Sequence, residues 1–287
     1  MPRAIILLIQ CPDRKGLVAK ISAFWYERGF NVLDCQQHVD NGHGRFFMRI
    51  KLDLESRRWP DTAIVSDFQS LADGLQLAWT IHDTGARERV AVLVSKAPHC
   101  LYDLLVRQRE AELPCEIPLV IGNHPDLATV AAQFDIPFHH LPVNADSRRD
   151  QEARIDALLS LERIGLVVLA RYMQILSPEL VAKHAGRIIN IHHGFLPAFQ
   201  GGNAYQRAYE RGVKMIGATA HYVTAELDAG PIIEQDVERV THEDTPRELA
   251  RIGRDIERLV LARAVKAHLE RRVIVAGHKT IVFSAGA

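Results

Sequence analysis

The residues that could do chemistry collect late in the chain. In Arg187-Ile-Ile-Asn190-Ile-His192-His193-Gly194 an amide and two imidazoles end an apolar, strand-like run. Downstream, Gly217-Ala-Thr-Ala-His221-Tyr-Val223 reads as a further strand, and Leu227-Asp228-Ala229-Gly230-Pro231 as a turn that brings one carboxylate near the pair. Strand alternation puts Asn190 and His192 on one face and Ile191 and His193 on the other, so His192 is expected to partner Asn190. Together these groups suit acyl transfer. Asn190 can donate to a developing oxyanion, His192 can stabilise that charge or move a proton, and Asp228 can orient the imidazole or accept a proton from the nucleophile. Water or an amine would suffice as nucleophile. Taken singly, Asn190 could merely satisfy backbone groups and Asp228 merely stabilise its turn; the joint arrangement favours catalysis. A metal held by His192, His193, His221 and Asp228 is not expected, because no H-E-x-x-H or equivalent spacing is present.

Positioning these groups falls to an α/β scaffold. Short apolar runs at 90–94, 117–121, 166–170 and 187–192 alternate with helical stretches, which predicts a mostly parallel sheet with helices on both faces. Ligands in such sheets sit at the carboxyl ends of strands, where Asn190 and His192 fall. Ser177-Pro178-Glu179 caps a short helix. Thr245-Pro246-Arg247-Glu248 is a capping box opening a long helix over 246–271, and 273–283 closes as a hairpin. The first third differs. A strand over 3–10, a helix from Leu17 to a stop at Gly29, strands flanking Asn41-Gly42, a helix over 61–72 and a strand over 75–81 give the order βαββαβ, a ferredoxin-like plan. A polar linker over 82–89 separates the parts, so domains are expected at 1–83 and 84–287.

The 287 residues are 47% hydrophobic and 24% charged, an ordinary globular composition without the apolar run of a membrane span. Formal net charge +0 supplies no overall field toward nucleic acid or an anionic bilayer. The four cysteines form no C-x-x-C pair, which argues for a reducing cytoplasm, and residues 4–9 are too short for a signal-peptide core.

Three linked segments, Leu169-Ala-Arg-Tyr-Met173-Gln-Ile-Leu-Ser-Pro178, Asn190-Ile-His-His-Gly-Phe-Leu-Pro197 and Gly217 through Ile233, resemble the folate-dependent formyltransferase family over residues 88–270. Residues 1–83, with the loop Cys11-Pro-Asp-Arg-Lys-Gly-Leu-Val18, resemble the ACT domain, a small-molecule sensing module. The combination resembles the branch of the family that hydrolyses 10-formyltetrahydrofolate to formate and tetrahydrofolate, supplying formate for purine synthesis and balancing folate pools. That resemblance implies Asn190, His192 and Asp228 as catalytic residues and Gln174, Ile175, Leu176, His221, Val223 and Leu227 as the folate site. It also implies Asp13, Gly16 and Asn31 as contacts for an amino-acid effector such as glycine or methionine. No cofactor beyond the folate substrate is implied, and a homo-oligomer is, with a tetramer favoured. Two alternatives stay open: a formyltransferase with an amine acceptor, and a non-catalytic folate or amino-acid sensor. Ribonucleotide-using members of the family carry a glycine-rich phosphate loop after the first strand; here Ser95-Lys-Ala-Pro-His-Cys100 has no glycine, and Pro98 lacks an N–H, which favours water. Gly194, Gln174 and Gly201-Gly-Asn-Ala204 depart from the family's usual residues.

Overall fold

A nine-residue apolar strand, β1 (Ala4–Pro12), is buried at the centre of a four-stranded antiparallel sheet in the computed structural model, which describes residues 3–54, 59–144, 146–197 and 204–285. After it come α1 (Leu17–Glu27), β2 (Val32–Asp40), β3 (Arg45–Asp53), α2 (Thr62–Leu75) and β4 (Ala78–Asp83), with sheet order β2-β3-β1-β4. This is the expected ferredoxin-like arrangement. Gly16 starts α1 at φ 89, a left-handed conformation that glycine adopts without steric cost. The β2–β3 turn is four residues long rather than two, since Asp40 Oδ1 accepts from the N–H groups of Gly42 and His43. The second helix runs to Leu75, three residues beyond the expected end, and closes on Gln76 in a left-handed cap.

Between α1, α2 and this sheet lies an aromatic core of Phe24, Trp25, Phe30 and Phe68, joined by partly buried Trp59 and Trp79. Phe68 meets Phe24 and Trp79 edge-on at ring separations of 5.2 and 4.8 Å, geometries that place ring edges against ring faces.

The second unit begins with β5 (Glu88–Val94), α3 (His99–Arg109), β6 (Cys115–Gly122), α4 (Ala128–Ala132) and β7 (Phe138–His140). It continues with α5 (Arg148–Leu161), β8 (Leu166–Ala170), α6 (Pro178–Lys183), β9 (Ile188–His192) and α7 (Ala204–Arg211). Then follow β10 (Met215–Tyr222), β11 (Ile232–Arg239) and α8 (Pro246–Leu269). The seven strands order as β11-β10-β9-β8-β5-β6-β7. From β7 to β9 the pairings are parallel; β10 and β11 pair antiparallel. Connections leave β5 toward β6 on one side and return through β8 on the other, so the carboxyl ends of β5 and β8 flank the crevice of a topological switch point. β7 escapes sequence reading because three residues are too few to show a period.

The chain ends with β12 (Val273–Ala276) and β13 (Lys279–Val282), the expected hairpin. The expectation of a second domain running to 287 needs correction. Arg271–Ala276 and Ile281–Ala287 cluster with Met1–Arg87, and Glu88–Glu270 with Gly277–Thr280 forms the other unit. The reason is apolar. Phe46 and Met48 point into the helix-covered core of the first unit, so alternation sends Phe47 to the opposite face, where Ile274 and Phe283 cover it.

All three tryptophans of the chain lie in the first unit's core or pack against it, so their fluorescence reports on that unit. Phe68→Ala removes the ring shared by three aromatic contacts. We expect a loss of about 3–5 kcal/mol, read as an earlier urea transition of tryptophan fluorescence.

Candidate active site

The reversal from parallel to antiparallel pairing at β9 and β10 sets His221 directly opposite Asn190. Asn190 Nδ2 donates to His221 Nε2 at 3.2 Å, and His221 Nδ1 donates to the carbonyl of Tyr222 at 2.9 Å. The second bond places the ring proton on Nδ1 and makes Nε2 the acceptor, the tautomer that an amide donor requires. A register shift at Ala220/His221 in the β10–β11 pairing accompanies this placement. Sequence alternation assigned Asn190 to His192. Its hydrogen-bond partner is instead the cross-strand His221, because facing residues on paired strands lie closer than residues two apart on one strand.

Asp228 gathers both histidines. Its Oδ2 lies 3.2 Å from His192 Nδ1 and its Oδ1 3.7 Å from His221 Nε2, and the carboxylate is only 6% exposed. The residue sits at φ 55 in the turn before β11, a left-handed conformation that aspartate tolerates better than most residues. Two residues on, Gly230 packs against the backbone of Tyr222 so closely that an added Cβ would stand 1.7 Å from its carbonyl oxygen. Only glycine fits there, and that close approach brings the turn down onto the strand end.

The segment after β9 is stapled in place by a polar network. Thr219 Oγ1 accepts from Leu196 N at 3.0 Å and donates to the Gly194 carbonyl at 2.9 Å, while Gln235 Nε2 donates to Thr219 Oγ1 at 2.9 Å. The small residue at 194 thus participates through its backbone. His193 lies one position past the end of β9, so alternation does not govern it, and it lines the cavity together with His192. Of the other departures, 201–203 lie outside the described residues, as does the side chain of Ala204.

Asn190, His192, His221 and Asp228 open into one cavity of about 260 Å³. Gln174, Ile175, Leu176, Val223 and Leu227 line it too, so every residue expected at the folate site shares a wall with the candidate catalytic groups. Met173, Ile175 and Leu227 are large apolar residues left exposed, a surface suited to a flat apolar ligand. Ser95 Oγ donates to Asn123 Oδ1 at 2.7 Å and accepts from Met173 N at 2.9 Å, tying the wall after β8 to the end of β5. From outside, Arg148 donates to the Ile175 carbonyl and Glu152 accepts from Ser177 N.

A second buried carboxylate, Glu257 of α8, was not anticipated. His99 Nε2 lies 2.8 Å from Glu257 Oε2, Tyr205 donates to Oε1 at 2.6 Å, and Arg171 Nε stands 3.4 Å from Oε2. His99 is thus held against a buried carboxylate. Burial pushes the Glu257 carboxyl up, but the His99 hydrogen bond and the Arg171 charge reverse this and hold it below its ordinary value. Burial and the adjacent Glu257 push the Tyr205 hydroxyl far up, so it remains a donor. His99, Cys100 and Glu257 are close enough to suggest a metal site, yet Arg171 already supplies the cation this carboxylate needs. The sequence did carry a signal: Glu257 falls on the buried stripe of α8 with Gly253, Val260 and Leu261, where a charge demands partners.

The effector residues do not converge within one chain. Asp13 and Gly16 follow the end of β1 near Gly44, whereas Asn31 N–H donates to Asp53, which pairs with the start of β1. Nine strand residues at ~3.3 Å each separate the two ends.

Burial, and then the Arg171 charge, lower the His193 pKa to about 4; burial and Arg271 do the same for His82. Both rings are therefore neutral in the folded protein at pH 7. Because the unfolded chain takes up these protons first, stability should be full above about pH 6.5 and fall as pH drops toward 4. Chemical denaturation across that window checks this. His193→Gln should flatten the dependence, and the ring signal of His193 should titrate near the lower limit.

Residues 88–265 match the formyl transferase family. A formyltetrahydrofolate deformylase of Synechocystis is 51% identical over 97% of this chain and 98% of its own length. One from Bacillus subtilis is 49% identical over 97% of this chain and 93% of its own. The crystal structure of a formyltetrahydrofolate deformylase from Pseudomonas syringae superposes with a TM-score of 0.96 at 45% identity, over 99% of this chain and 95% of that one. With likeness of this extent across both units, the chain belongs to the formyl transferase family and, within it, to the formyltetrahydrofolate deformylases.

Proposed function

We propose that this chain hydrolyses 10-formyltetrahydrofolate to formate and tetrahydrofolate, with Asn190, His192 and Asp228 as its catalytic residues. The observation that carries the residue assignment is their meeting at one apolar-rimmed cavity. One N–H of the Asn190 amide is engaged by His221, which leaves the amide plane defined and its second N–H to meet the oxyanion. Asp228, beside His192, takes a proton from the attacking water while the imidazole carries the charge that develops. The tetrahedral intermediate then collapses, the C–N10 bond breaks, and N10 receives a proton. The folate lies along Gln174, Ile175, Leu176, His221, Val223 and Leu227. It is the substrate, and the steps use only side chains and water.

Water is favoured over an amine because the segment after β5 is committed to the protein itself. Ser95 is bonded to Asn123 and Met173, and His99 to Glu257. We assign the first unit the ACT role, with glycine or methionine as effector. Since Asp13 and Gly16 lie at the far end of the sheet from Asn31, an effector site using all three needs more than one copy, consistent with a homo-oligomer, a tetramer by family resemblance. A cytoplasmic setting, formate supply to purine synthesis and the absence of nucleic-acid partners belong to the same reading; among the described residues no helix is long and apolar enough to cross a membrane.

Asp228→Asn keeps size and hydrogen bonding but removes basicity, so formate release should fall by about 10²–10⁴ while folate affinity changes little. Asn190→Ala should lower turnover by about 10²–10³. His192→Ala should cost more than His193→Ala, since only His192 is bonded to Asp228 at 3.2 Å. Near-normal turnover in folded Asp228→Asn would remove the mechanism. Formation of formylated glycinamide ribonucleotide in place of formate would identify an amine acceptor instead. For the first unit, calorimetry with glycine and methionine should detect binding that changes turnover; binding of neither would leave it an assembly module.

A further inference from the structure

Among the described residues lining the catalytic cavity, Arg171 is the only lysine or arginine, set against two carboxylates, Glu226 and Asp228. It follows the carboxyl end of β8 at φ 60, a left-handed conformation that a non-glycine residue adopts at a cost and that concentrates at functional sites. Its guanidinium has one ion partner, Glu257, at 3.4 Å from Nε, and the buried Nε and Nη1 make no hydrogen bond. A planar group with five donors is thus left short of acceptors in a residue that lines the catalytic cavity.

The proposed hydrolysis makes one new anion from neutral reactants. The water oxygen bonds to the formyl carbon, and the C–N10 bond breaks with its electron pair going to N10. One water proton ends on N10, and the other is lost as formic acid ionises. A carboxylate therefore appears where a neutral formamide stood, next to Asp228, which repels it. The Arg171 guanidinium matches a planar carboxylate in charge, shape and donors, whereas the neighbouring His193 ring is held neutral by burial and by that guanidinium. Glu257 is not among the described residues lining the cavity, and both its oxygens are engaged, Oε2 by His99 and Oε1 by Tyr205, so it fixes Arg171 without reaching the product.

We infer that Arg171 is the receiving site for the formate product and that Glu257, anchored by His99 and Tyr205, is the residue that positions it. The inference rests on the deformylase reading, but its test does not depend on turnover. The full-length protein, without folate, is titrated with ¹³C-formate and the formate line width followed, with acetate and chloride as competing anions. Wild type should broaden the formate signal. Folded Arg171→Gln should weaken formate binding by at least about tenfold, Arg171→Lys less, and Glu257→Gln by an intermediate factor while the response to pH is altered. During turnover, inhibition by added formate should weaken in the same order. No broadening by wild type, or equal broadening by wild type and Arg171→Gln, overturns the inference, as does displacement by chloride as effective as by formate itself. Failure of wild type to release formate from 10-formyltetrahydrofolate would instead overturn the deformylase reading. Should Arg171→Gln not fold, a formate affinity in Arg171→Lys and Glu257→Gln both equal to wild type overturns the assignment, and a graded loss supports it.

Discussion

A carboxylate withdrawn from water must be compensated, and the pairing of Asp228 with His192, beside His221, organises the second unit's functional end. The two histidines come from different strands, so the arrangement exists only where β9 and β10 pair in one register. The turn that carries Asp228 closes only because Gly230 admits a backbone contact no side chain would allow. Shifting that register by one residue would turn every side chain of one strand to the opposite face and dissolve the cluster.

Two buried carboxylates at one sheet end are kept distinct by their surroundings. Asp228 faces the cavity and meets two imidazoles, side chains able to donate or accept a proton. Glu257 is removed from the cavity and meets His99, the Tyr205 hydroxyl and a permanently charged guanidinium, which hold it ionised. One carboxylate is open to a bound ligand, and the other holds a neighbouring group still. Removing one partner from the Glu257 cluster would leave the remainder buried and uncompensated, the costly way to alter a buried ion pair.

In the first unit, apolar burial on both faces of β3 explains why the chain's last residues return to it. Phe46 and Met48 serve the helix-covered core, and Phe47 would lie on an open sheet face without Ile274 and Phe283. Arg49 makes the same attachment polar by donating to the Arg271 carbonyl at 3.0 Å and pairing with Asp34.

Periodicity alone determined most of the architecture. Alternating and helical apolar patterns marked the βαββαβ order and the parallel sheet, and the capping box at Thr245 and Glu248 marked the start of α8. These signals are local: each depends on side chains a few residues apart. Asn190, His192 and Asp228 were also legible as candidates, because polar side chains stand out at the end of an apolar strand and in the turn that follows one. What sequence could not decide was which polar group meets which. The bond from Asn190 to His221 rather than His192, the place of His193 in the cavity, the convergence of His99, Arg171 and Tyr205 on Glu257, and the allegiance of the last strands were all settled by pairing across long sequence separations. Pairing register and burial are properties of two segments at once, and no period within either segment contains them.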